Sequence, residues 1–92
     1  MFPSTLPLFS LHRDSVFRVA GGGIDLLLTD ACALHPGAPD ERRFSLTLRG
    51  PLQPQLEQGI HLLEHAVLGE LAIFLVPVGR DAAGMDYQAI FN

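Results

Sequence analysis

From Phe44 to Asn92 the chain is a series of short apolar runs that glycine or proline repeatedly interrupts. This punctuation constrains the fold more than any other feature, because short runs bounded by such residues suit strands joined by tight turns. The clearest run is Phe44 to Arg49, where Phe44, Leu46 and Leu48 alternate with Ser45, Thr47 and Arg49. That is the period of a half-buried strand. Gly50-Pro51 stops it, and a linker follows through Gln58, with Pro54 resisting regular structure. Leu71 to Val76 is apolar at every position, as in a central strand covered on both faces. Pro77 and Gly79 are then expected to open a loop through Gly84. Met85 to Phe91 reads as the last strand, with Met85, Tyr87, Ala89 and Phe91 on one face.

The front half is less regular. Ser4-Thr5 can cap one or two helical turns through about Arg13, with Leu6, Phe9 and Leu8 turned inward; an ordered coil packed over one end of a sheet fits equally. Val16 to Ala20 reads as a short strand, with Phe17 and Val19 alternating against Arg18. Gly21-Gly22-Gly23 reads as a hairpin loop before a strand from Ile24 to Leu34 that kinks near Asp30-Ala31. A phosphate-binding loop needs GxGxxG or Lys-Ser/Thr signatures and a helix start, and the glycine triplet has none of these. Residues 35–43, HPGAPDERR, form an exposed, mobile loop by composition, in which His35 faces solvent.

Ninety-two residues suit one domain, 1–92, of modest stability. Yet 48% of the residues are hydrophobic and only 17% are charged, so part of the apolar surface is expected to be covered by a second copy or another protein. Six arginines, no lysine and ten acidic residues give a net charge of −4. Without a basic stripe, neither nucleic acid nor an anionic membrane is an expected partner. Cys32 is the only cysteine, which rules out an intrachain disulfide and suits a reducing compartment. Between Ala31 and Ala33 it reads as a small buried residue. The N-terminus lacks a positive n-region and contains Pro3 and Pro7, and no apolar run reaches the ~18 residues of a membrane span. A cytoplasmic protein is expected.

Gln55 to Glu70 is ambiguous. Leu56, Ile60, Leu63 and Val67 recur at helical spacing, while Gly59 would cost a helix about 1 kcal/mol relative to alanine. A strand, a turn around Ala66–Gly69 and a second strand fit as well. Within this stretch His61-Leu62-Leu63-Glu64-His65 spells H-x-x-E-H, the inverted zinc-protease motif. On a helix His61 and His65 would share a face one turn apart and chelate zinc, with Glu64 activating the bound water. On a strand the same spacing spans about 13 Å, too far for one ion. Periodicity leaves both open.

The segments FSLTLRGP, QGIHLLEHAVLGELAIFLVPVG and GMDYQAIFN together resemble a family of short bacterial proteins that carry an uncharacterised domain. Members of that family follow FSL-x-FRGP, LPQGTYxLEHPxLGxFxLFLVPVG and GMxYEAVFN. The resemblance covers about half of the chain and implies an all-β fold of short antiparallel strands, a barrel or sandwich of about six. It also implies that LEHP-x-LG is a tight connection between two strands, matched here by Glu64, His65, Leu68 and Gly69, with Ala66 where the family commonly has proline. Proline would be awkward inside a helix, so the resemblance favours strand–turn–strand. His61 stands where the family pattern has no histidine. The family's association with phage-tail-collar-like proteins implies a structural or assembly role.

The expected function is therefore a non-enzymatic binding or assembly module, with a zinc-dependent hydrolase built on residues 61–65 or a small-ligand-binding barrel as alternatives. No cofactor is expected. Arg49, Glu64, His65 and Tyr87 are the candidate binding residues. Their structural alternatives are an Arg49–Glu64 ion pair, a turn histidine bonded to a backbone carbonyl at His65, and a buried Tyr87 ring with its hydroxyl at the rim. His61 and His65 are candidate metal ligands only under the hydrolase reading.

Overall fold

Alternation and turn residues lay down six strands behind one short helix. The computed structural model describes residues 5–37 and 40–92. Helix α1 spans Leu6–Ser10, and the strands are β1 Val16–Val19, β2 Asp25–Ala33, β3 Phe44–Gly50, β4 Gly59–His65, β5 Gly69–Arg80 and β6 Met85–Phe91. They close into an antiparallel barrel in the order β1-β2-β3-β6-β5-β4. Closure leaves no strand at the end of a sheet, which removes the aggregation hazard of an open edge. The expected all-β fold is thus observed, as a barrel rather than a sandwich, and the middle of the chain is strand, turn and strand.

The period-2 pattern works as a sorting device. Inward positions Phe17, Leu26, Leu28, Leu46, Leu48, Leu63, Leu75 and Tyr87 are almost fully buried and fill the bore with side chains. Each buried side chain of this size contributes roughly 1.5–3 kcal/mol. Helix α1 closes one end. Phe9 is fully buried and its ring centroid lies 5.6 Å from Phe44, 5.6 Å from Phe91 and 6.3 Å from Phe17. Leu6 and Leu8 pack against the same core.

The helix is shorter than expected, ending at Ser10 instead of about Arg13. Ser4, one of the expected capping residues, lies outside the described residues. Thr5 occupies the N-cap without a side-chain bond, and the Leu6 amide donates instead to the Glu41 carbonyl (2.7 Å). Residues 38 and 39 of the 35–43 loop also lie outside the described residues; His35 is exposed, as expected.

Two irregularities differ from the sequence expectation. The kink expected near Asp30-Ala31 is a register shift between Leu28 and Asp30. One inserted residue reverses which side chains point inward. Ala31 and Ala33 therefore turn toward the interior, and Cys32, expected to be buried, is exposed with Sγ 3.2 Å from Ser45 Oγ. The second is in β5, which does not stop at Val76. It continues to Arg80 and pairs with β6 across a register shift between Pro77 and Gly79. A bulge absorbs the proline that would otherwise end the ladder. Nor is β5 covered on both faces: Ile73 and Leu75 are buried, whereas Ala72 and Phe74 are exposed.

Candidate functional site

The polar residues singled out by the sequence separate into two clusters, one at each end of β5. The first is centred on His65, the last residue of β4. The three-residue loop Ala66–Leu68 returns to Gly69, which pairs with His65 and has a φ of +78°. A hairpin of this length needs one left-handed residue at its exit, and glycine adopts that conformation without steric cost. The His65 side chain is only 8% exposed. Its Nδ1 accepts hydrogen bonds from the amides of Val67 (3.0 Å) and Leu68 (3.1 Å). The expected carbonyl partner is replaced by two backbone donors, because the turn directs amides toward the ring.

Those two bonds fix the tautomer. A nitrogen that accepts two amide protons carries none, so the neutral ring has its proton on Nε2. Nε2 lies 2.9 Å from Ser15 Oγ and donates to it, and the Ser15 hydroxyl in turn donates to the His12 carbonyl. The rings of Phe17 and His12 pack against His65 at centroid distances of 4.5 and 4.8 Å. Burial, reinforced by His12, pushes the His65 imidazole below its ordinary pKa. A serine beside a histidine invites a nucleophile–base reading. Activation would require Nε2 to accept the serine proton, and here the proton runs the other way.

The second cluster joins β3 to the β5–β6 connection. Arg49 pairs across β3–β6 with Asp86, donating from Nη1 at 3.1 Å, and its Nη2 donates to Asp81 Oδ1. The expected partner Glu64 is elsewhere, because barrel closure puts β6 beside β3. Asp81 Oδ1 also accepts the amides of Ala83 (2.8 Å) and Gly84 (3.1 Å). The Ala83 amide first, then Arg49 and the Gly84 amide, hold the Asp81 carboxyl below the usual carboxylate range. A side chain at position 84 would put a Cβ 2.8 Å from the Gly50 carbonyl oxygen and 3.0 Å from Arg49 Nε, so glycine allows the close approach.

Tyr87 and Glu64 occupy opposite environments. The Tyr87 hydroxyl does not reach the rim; it accepts the Leu56 amide (2.8 Å) inside the protein and anchors the irregular 51–58 segment to the barrel. Glu64 is exposed and stands across β4–β5 from Glu70. Arg18 lies beside Glu64 in the β1–β4 pairing, but its guanidinium is bonded to Asp25 (2.9 Å). His61 is on the same strand as His65, and its Nε2 donates to the Glu57 carbonyl (2.7 Å). With β4 extended, the two imidazoles are separated by roughly four strand residues, about 13 Å, so the H-x-x-E-H spacing does not converge on one ion. Among the described residues no three His, Cys, Asp or Glu side chains form a group able to hold a metal. A recess of about 310 Å³ lies outside the bore, lined by Asp40, Arg42, Arg43 and Asn92.

Sequence reasoning missed His12, Ser15, Asp81 and Asp86. Of these, only Asp81 carried a local signal, since an aspartate three residues before a glycine is a common turn-forming pattern. The other three are recruited by pairing between distant segments.

A third feature lies on the outer surface. Outward positions of β4 and β5 place Ile60 opposite Phe74 and Leu62 opposite Ala72. Ile90 is an exposed residue of β6, two residues beyond Gln88, the partner of Val76. Ile60 is 73% exposed, Phe74 and Ile90 49% each, and Leu62 43%. By contrast, the outward residues of β3 are Ser45, Thr47 and Arg49.

Among the described residues no helix is long and apolar enough to cross a membrane. No curated protein and no solved structure matches the chain. The same succession of strands and turns that builds both clusters and the apolar face is matched from residue 4 to residue 91 by the family described as Domain of unknown function (DUF6916), and the chain belongs to that family.

Proposed function

We propose that this chain is a non-enzymatic binding or assembly module whose working surface is the outer face of β4, β5 and β6. The observation that carries this reading is the exposed apolar group on β4 and β5, with Ile60 opposite Phe74 and Leu62 opposite Ala72. Single exposed apolar residues are ordinary, but a contiguous group of them marks a site of association. The bore supports a protein partner over a small ligand, since buried side chains of the described strands fill it. The hydrogen-bond direction at Ser15–His65 and the extended H-x-x-E-H segment also favour this reading over hydrolysis. The resemblance to short bacterial proteins adds a setting: a cytoplasmic accessory protein of phage-tail-like assemblies.

The experiment is co-purification from the native host with tagged wild type and tagged Phe74→Asp. Phe74 points outward, so the variant should fold with an unchanged circular dichroism spectrum. Partners recovered with wild type and lost with the variant are the expected result. Recovery of the same proteins with both would remove the face from the proposal.

A further inference from the structure

We propose that this face is completed by an extended segment of a partner protein, which adds to the free edge of β5 as one more strand. The inference rests on the binding reading above and names the partner's chemistry. Every strand has neighbours on both sides, but β5 is not paired along both sides over its whole length. Residues 69–75 pair with β4 alone, and the ladder to β6 begins only at Val76 and Gln88. Backbone direction shows which residues are left open. The Leu62 carbonyl accepts the Ala20 amide (2.9 Å), so Leu62 turns its backbone groups toward β1. Successive residues of a strand turn theirs to alternate sides, so His61 and Leu63 face β5, opposite Ile73 and Leu71. Glu70, Ala72 and Phe74 therefore turn theirs away from β4, toward a side where, among the described residues, no strand is paired with them. Such a row of amides and carbonyls is a template for strand addition.

The side chains around this edge specify the segment. Ala72 and Phe74 are exposed beside Leu62 and Ile60, so the partner residues opposite them are apolar. A large one opposite Ala72 can reach over the alanine toward Leu62. On the inner side Leu71 is only half-buried, whereas Ile73 and Leu75 are buried, so the core is incompletely covered where the added strand lies. Glu70 sets the charge. It faces Glu64 across the ladder and has no ion-pair partner among the described residues, while Glu64 has Arg18 beside it on β1. Like charges directly opposite one another are unfavourable, which favours a lysine or arginine of the partner opposite Glu70. A second copy of β5 fits this edge poorly, because antiparallel pairing about Ala72 sets Glu70 against Phe74 at both ends.

Peptides selected from a randomised display library against the full chain, followed by amide hydrogen exchange, test this. The selected peptides should carry apolar residues at alternate positions and a lysine or arginine. Their binding should slow exchange at Glu70, Ala72 and Phe74 by about tenfold or more, because strand addition captures those amides. Ala72→Pro removes an amide that only the added strand would use, a change that a sheet edge tolerates, and should weaken binding by about tenfold or more. Glu70→Lys leaves the backbone edge intact and should turn the selection toward acidic peptides. Circular dichroism confirms folding, and if Ala72→Pro does not fold, Glu70→Lys and the exchange pattern decide. The proposal is overturned if no peptide is selected, if bound peptides leave the three amides exchanging freely, if a folded Ala72→Pro binds undiminished, or if Glu70→Lys still selects basic peptides. Protection of the same amides in the free chain that grows with its concentration would make the occupant a second copy and overturn it as well. If Phe74→Asp loses host partners but those partners leave the three amides unprotected, the binding reading stands and strand addition does not.

Discussion

At the β4–β5 tip a neutral imidazole accepts the amides two and three residues further on; at the β5–β6 tip a carboxylate accepts the amides in the same two positions. Both side chains do what an Asx turn does, giving the orphan amides of a tight connection a local acceptor. They differ in how the acceptor is held. His65 is buried against Phe17, with its proton committed to Ser15, and needs no charge. Asp81 sits at the surface and draws on Arg49 as counter-ion. One turn is stabilised by packing and a fixed tautomer, the other by charge. Their responses to mutation and to acid should therefore diverge.

Replacing His65 with alanine should have the largest effect. It removes the acceptor for two amides, the donor to Ser15 and the ring packed on Phe17, a combination expected to cost about 2–4 kcal/mol in chemical denaturation. His65→Asn, whose Oδ1 takes the place of Nδ1, should recover part of that loss. Equal destabilisation by the two variants would show that ring packing, not amide capture, holds the tip.

Acid should come next. Because the folded-state pKa of His65 is lowered, the unfolded chain binds more protons as pH falls through its ordinary value of about 6.5. The stability held by the neutral ring is complete above that pH. It is lost as pH falls toward the folded value and changes no further below it. His65 should therefore contribute a decline in the midpoint of denaturation below about pH 6.5, and His65→Asn should remove that component. A wild-type curve that coincides in shape with the variant's would break the assignment. The carboxylate at the other tip keeps its contribution to lower pH: with Asp81 held below its ordinary pKa of 3.8, its share begins to fall only beneath that value.

Asp81→Asn should have the smallest effect. The amide oxygen still accepts from Ala83 and Gly84, and only the exposed charge opposite Arg49 disappears. Exposed pairs contribute little, so denaturation should move slightly, and less in high salt. A loss comparable to that of His65→Ala would mean that the arginine, not the turn amides, holds the second tip.

Much of the fold was legible because alternation is a local property. Phe44, Leu46 and Leu48 announce β3, and Met85, Tyr87 and Ala89 announce β6, with no knowledge of their neighbours. What escaped was set by register. The shift after Leu28 exchanges the inward and outward sides of β2 and carries Cys32 outside; the shift at Pro77 lets β5 continue where a proline predicts a stop. Partner choice escaped for the same reason. Arg49 was recognisable as an anchor, but Asp86 rather than Glu64 meets it because β6, not β4, lies beside β3. His65 could be placed in a turn from its own surroundings, whereas Ser15, fifty positions away, could not. The apolar outer face was foreseen only as an excess of hydrophobic residues, without a location.

Phe9 rests on Phe44 and Phe91, so the plug of the barrel belongs to the first element and part of its seat to the last. Because α1 precedes the strands and β6 follows them, the pocket for the plug does not exist until the last strand of the barrel is in place. The core is thus closed by contacts between elements far apart in sequence, the kind of topology that folds slowly.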